Sequence, residues 1–325
     1  MIPMSSTRRQ FLQTTSSLIA AASLVRTQSS FAAIRNEVAP VPIIDPHQHL
    51  WDLSNFKLSW LDDASDPILK RNYLLEEYRE ATKNVNVVKA VYMEVDVIPE
   101  QHHAEAEFVL QLCNAPNSTT VGAVISGRPG EAGFAKHIER YADNQRIKGV
   151  RQVLHGSTPA GYCLSKQFVE SVRLLGEMNK CYDLCMRPGE LIDAVKLVDQ
   201  CPKTRFVLDH CGNGPVRPSD PKTFDQWLAG LKELSARSNV VCKISGIVAS
   251  APKDWKPSDL EPVVNASIDH FGEDRIMFAG DWPVCLLRSS FEAWVNALKE
   301  IVGSRSDSFK AKLFSKNAEK FYSLT

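Results

Sequence analysis

The stretch VPIIDPHQHLW, residues 41–51, joins a short apolar run to a carboxylate, a proline and two histidines. An apolar run of this length, bounded by turn-forming residues, predicts a buried β-strand. Side chains alternate along an extended chain, so His47 and His49 point the same way and can together hold one cation or one substrate oxygen. A His-x-His pair is a weak signal alone, so its meaning depends on the strands around it.

The same kind of β-branched run recurs along the whole chain, and helical patterns separate the runs. Eight strands are predicted, at Val41–Asp45, Val87–Val95, Thr120–Ser126, Ile147–Val153, Tyr182–Met186, Arg205–Asp209, Val240–Ile244 and Arg275–Ala279. Amphipathic helices are predicted at Tyr73–Asn84, His102–Asn114, Phe134–Tyr141, Gln167–Asn179, Leu191–Asp199, Phe224–Ser235, Leu260–Phe271 and Phe291–Ile301. The sequences SDLE at 258–261 and SSFE at 289–292 are typical of capping boxes at two of the helix starts.

Eight repeats of strand and helix require parallel strand pairing with right-handed crossovers, and closing the sheet removes both of its edges. We therefore expect a single α/β domain, a (β/α)8 TIM barrel, over residues 34–325. The main alternative is an open doubly wound sheet. No G-x-G-x-x-G or P-loop sequence follows any predicted strand, so the usual ligand signature of that fold is missing.

Residues 1–33 precede the barrel and are predicted to be an export signal. Arg8 and Arg9 stand just before Leu18–Val25, an apolar run rich in Ala and Ser, and small residues follow it as a cleavage site. This arrangement is typical of the twin-arginine pathway and predicts a periplasmic protein. A basic tail with a chance Arg-Arg pair is the alternative. No later stretch approaches the roughly 18 apolar residues of a membrane span, so none is predicted.

Composition argues against several other classes. The 325 residues carry 38 basic and 38 acidic side chains, and a formal net charge of zero provides no basic field for a nucleic acid. The eight cysteines are scattered over a long chain, often in apolar runs, which predicts buried free thiols rather than a disulfide framework. Binding of nucleic acid is therefore not expected.

In a barrel of this kind the chemistry lies at the C-terminal ends of the strands. Imidazoles, carboxylates and cationic groups recur at the predicted ends, namely His47 and His49 on strand one, Arg151 and His155 at strand four, Asp209 and His210 at strand six, Lys243 and Ser245 at strand seven, and Asp281 after strand eight. The first and last strands are neighbours in a closed barrel, so the His-x-His pair is expected beside Asp281.

Four sequence blocks are specific when taken together: IDPHQHLWD at 44–52, KGVR at 148–151, LDHCG at 208–212 and MFAGDWP at 277–283. In these blocks the chain, from about Val41 to Tyr322, resembles the amidohydrolase superfamily. Within that superfamily it is similar to the related lactonases that act on sugar lactones and on pyrone or muconic lactones. The resemblance implies an amidohydrolase-like TIM barrel and a small lactone as substrate.

The resemblance also implies roles for the strand-end residues: His47 and His49 form the strand-one pair, His210 is the strand-six imidazole, and Asp281 deprotonates the hydrolytic water. Dinuclear members of the superfamily carry a bridging Lys or Glu on strand four and a metal-binding His on strand five. Here those strand ends have the sequences VRQ at 150–152 and CMR at 185–187, so a two-metal centre lacks ligands. Two possibilities remain. Either one divalent ion, with zinc expected first, is held by His47, His49 and Asp281, or the imidazoles bind the substrate without a metal.

Six further side chains are predicted to contact the substrate: Arg151, Lys243, Trp51, Trp282, Glu94 and His155. Guanidinium and ammonium groups suit a carboxylate or sugar hydroxyls, and aromatic faces stack on sugar rings or unsaturated lactones. Glu94 lies inside an apolar strand, where an ionisable group needs a partner. The alternatives are structural ion pairs for the cationic groups, core packing for the tryptophans and a hydrogen-bonded surface position for His155.

The predicted function is hydrolysis of a small lactone, with Asp281 accepting the proton of an activated water. His47 and His49, or the metal that they hold, polarise the carbonyl. His210 and Lys243 assist them. Non-oxidative decarboxylation is a second possibility, although the missing strand-five histidine argues against it. A third is an inactive exported barrel that only binds sugars, but such a binder has no need of a general base.

Overall fold

The computed structural model describes residues 41–324 apart from Ser65 and Ser157, so the predicted export segment at residues 1–33 lies outside the described part. Eight parallel strands pair in chain order within residues 41–324: β1 Ile43–Gln48, β2 Val87–Met93, β3 Thr120–Ser126, β4 Ile147–Val153, β5 Cys181–Cys185, β6 Arg205–Leu208, β7 Val240–Ile244 and β8 Ile276–Phe278. A parallel bridge between Gln48 and Trp282 joins β1 to the residues after β8 and brings the sheet close to closure. The predicted (β/α)8 barrel is confirmed.

Helices alternate with the strands and continue after the last one. Their bounds are α1 Leu75–Thr82, α2 His102–Asn114, α3 Phe134–Glu139, α4 Lys166–Glu177, α5 Leu191–Gln200, α6 Pro221–Ser235, α7 Pro257–Phe271, α8 Phe291–Ile301, α9 Asp307–Ala311 and α10 Asn317–Tyr322. The α7 helix begins earlier than predicted, because Asp259 accepts a hydrogen bond from the Lys256 N–H at 2.8 Å and Ser258 falls inside the first turn. The α8 helix is capped by Ser290, whose Oγ accepts from the Ala293 N–H at 3.0 Å.

The end of the chain covers the N-terminal end of the barrel, a feature that the sequence did not predict. Tyr322 and Leu324 pack against apolar residues from five strands, namely Ile44, Val91, Met93, Val124, Val207 and Met277. Lys148 Nζ donates to Ser323 O at 3.3 Å, and Arg205 Nη1 donates to Phe321 O at 2.5 Å. The strand ends that carry His47, His49 and Asp281 therefore lie at the opposite end of the barrel from this chain end. Tyr322 extends into the interior between them, where its OH donates to Asp183 Oδ2 at 3.4 Å and its ring lies 5.7 Å from Lys243 Nζ.

The cysteines belong to the interior of the fold. All eight are buried and have free thiols, as the sequence predicts. Among residues 41–324, as far as they are described, no helix is both long and apolar enough to cross a bilayer.

Candidate active site

The first strand carries His47 and His49 to the mouth of the barrel. Gln48, the residue between them, contacts β3 instead, since its Oε1 accepts a hydrogen bond from Thr120 Oγ1 at 2.8 Å. The two imidazole rings lie 4.8 Å apart between centroids and at 80° to each other. The Asp281 N–H donates to His47 O at 3.0 Å, which holds the residue after β8 against β1. The structure thus brings His47, His49 and Asp281 together, as their positions on neighbouring strands indicate.

The proton position on His49 follows from its neighbours. Its Nδ1 lies 3.0 Å from Met93 O, which can only accept, so Nδ1 carries a proton, and in the neutral ring Nε2 bears the lone pair. That Nε2 faces Asp281 Oδ1 at 3.5 Å, and two lone-pair atoms in this arrangement need a cation or a proton between them. Ligating atoms of His47, His49 and Asp281 all lie within 4.8 Å of one another. Two imidazole nitrogens and a carboxylate oxygen fit a zinc ion with positions left for water and substrate.

His47 is fully buried between two carboxylates. Its Nε2 lies 3.6 Å from Asp281 Oδ1 and 3.3 Å from Arg151 Nη1. A guanidinium only donates, so Nε2 accepts from Arg151, while Nδ1 lies 3.4 Å from both Asp209 Oδ1 and Lys243 Nζ. Burial lowers the pKa of His47 well below its usual value, although the carboxylate of Asp209 opposes the shift. The ring is therefore neutral at pH 7 and can offer Nε2 to a metal ion.

His210 begins a left-handed turn directly after β6. Residues 210–213 all have φ between 53° and 67°, a conformation that costs backbone strain and persists only where the surroundings enforce it. His210 Nδ1 lies 3.0 Å from Ser245 Oγ, and its ring centroid lies 4.6 Å from that of His47. Burial lowers the pKa of His210, so the ring is neutral at pH 7. When Nδ1 accepts from Ser245, Nε2–H is free to donate to a substrate oxygen.

Arg151, on β4, is held by Glu94, which follows β2. Arg151 Nε donates to Glu94 Oε1 at 2.6 Å, and Arg151 Nη2 donates to Glu94 O at 2.8 Å. The other carboxylate oxygen accepts from Ser126 Oγ at 2.9 Å and from the Asp96 N–H at 2.7 Å. Burial favours the neutral acid, but Arg151 outweighs it and lowers the pKa of Glu94. Glu94 is therefore an ion-pair partner that orients Arg151, rather than the predicted contact to substrate.

Lys243 lies beneath the histidines and is completely buried. Its Nζ donates to Asp183 Oδ2 at 2.7 Å and lies 3.1 Å from Asp209 Oδ1. Burial opposes the charge, but the two carboxylates outweigh it and raise the pKa of Lys243. These partners keep the ammonium away from a substrate, so the predicted contact is corrected to a structural ion pair. The sequence assigns no role to Asp183, although an acid inside an apolar strand is the same signal that singles out Glu94.

Trp51 and Trp282 belong to the aromatic core. Their exposed fractions are 0% and 1%, and both pack edge-on against Tyr73, at centroid distances of 5.2 and 5.1 Å. Trp51 Nε1 donates to Arg71 O at 2.7 Å. Neither ring has a face open to a substrate, so the predicted stacking on a sugar gives way to core packing. Trp282 instead anchors the chain next to Asp281.

His155 lies two residues beyond β4, and its side chain is exposed. Arg151 directs Nη1 toward His47 and so faces the histidine pair. Among the six side chains predicted to contact the substrate, Arg151 and His155 are the two whose placement is compatible with that role. For both of them it stays a prediction.

Comparison with known families assigns the chain to a class. A family model described as Amidohydrolase matches residues 44–324. The chain therefore belongs to the amidohydrolase family. The resemblance that the four sequence blocks indicate is confirmed.

Known relatives cover nearly the same span. The chain is 29% identical over 303 residues to the uncharacterized protein y4mH of Sinorhizobium fredii, across 88% of this chain and 99% of that protein. It is also 29% identical over 294 residues to an L-fucono-1,5-lactonase of Burkholderia multivorans, across 86% of this chain and 96% of that enzyme. A crystal structure of a Burkholderia multivorans amidohydrolase with bound zinc is similar with a TM-score of 0.77 and 25% identity, covering 87% of this chain and 99% of that one. The similarity extends over the whole barrel.

Proposed function

We propose that this amidohydrolase hydrolyses a sugar lactone at the group formed by His47, His49 and Asp281. The observation that carries the proposal is the convergence of two imidazole Nε2 atoms, at 3.6 and 3.5 Å, on one oxygen of Asp281. The Burkholderia multivorans relative is named for its action on L-fucono-1,5-lactone, which makes aldonolactones the first substrate class to test. Asp281 is the candidate base within this group.

Lactone opening assigns a proton-transfer role to Asp281. Its carboxylate takes a proton from water as the water oxygen bonds to the lactone carbonyl carbon. The tetrahedral intermediate then collapses, the bond between the carbonyl carbon and the ring oxygen breaks, and Asp281 returns the proton to that oxygen. Water is consumed and an open hydroxy acid is formed, so atoms and protons balance.

The oxyanion that develops on the carbonyl needs donors that are already in position. Ser245 holds His210 Nδ1 at 3.0 Å, which leaves His210 Nε2–H as one donor. Glu94 fixes the guanidinium of Arg151, whose Nη1 is directed at the histidine pair. Preorganised donors of this kind are each worth roughly 10²- to 10³-fold in turnover in acyl transfer.

His47, His49 and Asp281 would also hold one divalent ion through two Nε2 atoms and a carboxylate oxygen. When bound, such an ion polarises the carbonyl and lowers the pKa of a bound water. The zinc in the Burkholderia multivorans amidohydrolase supports this choice of metal. Arg151 Nη1, 3.3 Å from His47 Nε2, brings a positive charge next to the same position, so we expect weak binding of a single ion. Elemental analysis should find at most one equivalent per chain, and chelation should cause partial or no loss of activity.

A panel of aldonolactones with five- and six-membered rings, followed with a pH indicator, tests the function. Purified protein should release acid at a steady rate, and the Asp281→Asn variant should release almost none. Hydroxybenzoates assayed in parallel for released CO₂ test the decarboxylase alternative. CO₂ release without acid release from any lactone would favour decarboxylation. Tight lactone binding without turnover would favour a sugar-binding barrel.

A further inference from the structure

The ion pair beneath the histidines has the composition of a cation site. Lys243 Nζ lies 2.7 Å from Asp183 Oδ2, 3.1 Å from Asp209 Oδ1 and 3.4 Å from His47 Nδ1. All four side chains are fully buried. Carboxylate oxygens and imidazole nitrogens are also the groups that bind divalent metal ions in proteins. The ammonium of Lys243 therefore occupies a position that is surrounded by potential metal ligands.

Asp209 is the carboxylate of this cluster that lacks hydrogen bonds among the described residues. Neither of its carboxylate oxygens receives a well-directed hydrogen bond from the described part of the chain. Lys243 Nζ at 3.1 Å and Arg151 Nη1 at 3.6 Å are its cationic neighbours. A buried carboxylate of this kind is held by charge rather than by hydrogen bonds. Without Lys243, Arg151 at 3.6 Å would remain as the cationic neighbour of Asp209 within the described part of the chain, and Oδ1 would lose its closest positive charge.

The same position overlaps a second group of potential metal ligands among the described residues. The first group is His47, His49 and Asp281, and the second is His47, Asp209 and His210, again with ligating atoms within 4.8 Å of one another. The His47 ring separates the two, because Nε2 faces Asp281 while Nδ1 faces Asp209, so an ion on each nitrogen would displace the proton of the neutral ring to solvent. Lys243 contacts two members of the second group. A divalent ion bound there would meet an ammonium at contact distance, and like charges in a buried site repel strongly.

We propose that Lys243 is a built-in cation that fills the second position and limits the site to one metal ion. It is a positioning residue, since it acts through Asp209 and His47 and not on the substrate. The inference rests on the proposed function only in taking the group of His47, His49 and Asp281 as the first metal position.

The Lys243→Met variant keeps most of the side chain's length and removes its charge. Wild-type and variant proteins are dialysed against Zn²⁺ alone, and the zinc bound per chain is counted by elemental analysis. We expect the variant to hold one equivalent more than the wild type. Zn²⁺ should also raise the unfolding temperature of the variant by more than it raises that of the wild type. Lys253→Met, at an exposed lysine, is the matched control and should bind as much zinc as the wild type.

A second variant keeps the test decisive if Lys243→Met does not fold. The double variant Lys243→Met/Asp183→Asn removes one of the two carboxylates that lose the ammonium, yet retains His47, Asp209 and His210. It should gain one equivalent of zinc over Asp183→Asn alone. No gain in either comparison, or two equivalents in the wild type, would overturn the inference. A wild type without zinc, together with a gain in the double variant, would refute the first metal position while supporting the role of Lys243.

Discussion

The two ends of the barrel are formed by the same eight strands but differ in how their buried polar groups are paired. At the closed end, Lys148 and Arg205 donate to carbonyls of the chain end, and Tyr322 and Leu324 fill the space between apolar side chains. At the open end, His49 Nε2 and Asp281 Oδ1 face each other at 3.5 Å with no donor between them. At the closed end the chain itself supplies these partners, although the buried Thr119 Oγ1 has none among the described residues, whereas the histidine group at the open end is complete only with a proton, a metal ion or a substrate.

Backbone strain is concentrated at the open end, although the chain end at the closed end has one left-handed serine, Ser323, with φ of 49°. The closed end uses Asn117 and Asn179 for left-handed turns before β3 and β5, and asparagine tolerates that conformation. The open end places Asp281, His210 and Cys211 in the left-handed region, with φ of 53°, 57° and 53°. Strain of this kind costs about 1–3 kcal/mol per residue and needs support from the surroundings. The comparison predicts that changes at the open end reduce turnover, whereas changes at the closed end reduce stability.

Asp281→Asn should have the largest effect. The amide keeps the volume of the side chain but cannot take a proton, so kcat on the best lactone should fall roughly 10²-fold or more. The midpoint of urea unfolding should stay close to that of the wild type. Steady-state kinetics and urea titration measure the two quantities. Turnover near the wild-type rate would show that Asp281 is not the general base.

Leu324→Ala tests the closed end. Leu324 is buried against the apolar side chains of the strands, so its truncation leaves a cavity and should cost about 2–5 kcal/mol of unfolding free energy. The kcat should stay within about twofold of the wild type, because the site lies at the other end. Leu53→Ala, at an exposed leucine, is the control and should change stability by no more than about 0.5 kcal/mol. A loss of turnover in Leu324→Ala at a temperature where it is folded would show that the two ends are coupled.

Strand positions can be predicted from sequence where burial alone decides them. The β3, β4 and β7 strands begin and end where the sequence predicts, because turn-forming or charged residues bound their β-branched runs. The β1 strand extends beyond its predicted end to Gln48, since backbone contacts with the residues after β8 keep a polar segment extended. The α10 helix is not apparent in the sequence, because its apolar residues face the end of the barrel rather than a neighbouring helix or strand.

The residues of the candidate site also differ in how far their positions can be predicted from sequence. His47, His49 and Asp281 can be placed together from sequence because they follow strands that must be neighbours. The pairing of Lys243 with Asp183, 60 residues away along the chain, depends on which side chains meet inside the barrel. The burial of Trp51 cannot be predicted either, since the apolar area that packs an indole into a core also suits it to a sugar.

Gly246→Ala should have a smaller effect than the first two changes. Gly246 has φ of +66°, and a Cβ there would lie 2.3 Å from His210 Nδ1, so the ring must move. We expect kcat to fall about tenfold and stability to fall by about 1–3 kcal/mol. Gly272→Ala is the matched control, because its φ is +72° but a Cβ there meets nothing within 4 Å. It should lose similar stability and keep its turnover. Equal turnover in both variants would show that the position of the His210 ring does not affect catalysis.

Glu105, on α2, provides the smallest expected effect on turnover, and its test is the pH dependence of stability. Its carboxylate accepts from Tyr92 OH at 3.0 Å and from the Val95 N–H at 2.8 Å. Burial, and then the charge of Glu94, raises the pKa of Glu105 to about 7 from a usual 4.5. Between these values the unfolded chain ionises at this residue while the folded chain keeps its proton. The stability of the wild type should therefore fall as pH rises through that window, by up to about 1.4 kcal/mol per pH unit.

Glu105→Gln should remove this contribution, because glutamine keeps the shape of the protonated acid and does not ionise. Urea unfolding at pH 5 and pH 7 measures it, and the wild type should lose more stability than the variant between the two values. Glu107→Gln, at an exposed position of the same helix, should behave like the wild type. If all three proteins lose the same amount, Glu105 is ionised in the fold. Glu105 would then be a buried negative charge next to that of Glu94. The open end of the barrel would in that case contain more buried charge than the histidine site alone gives it.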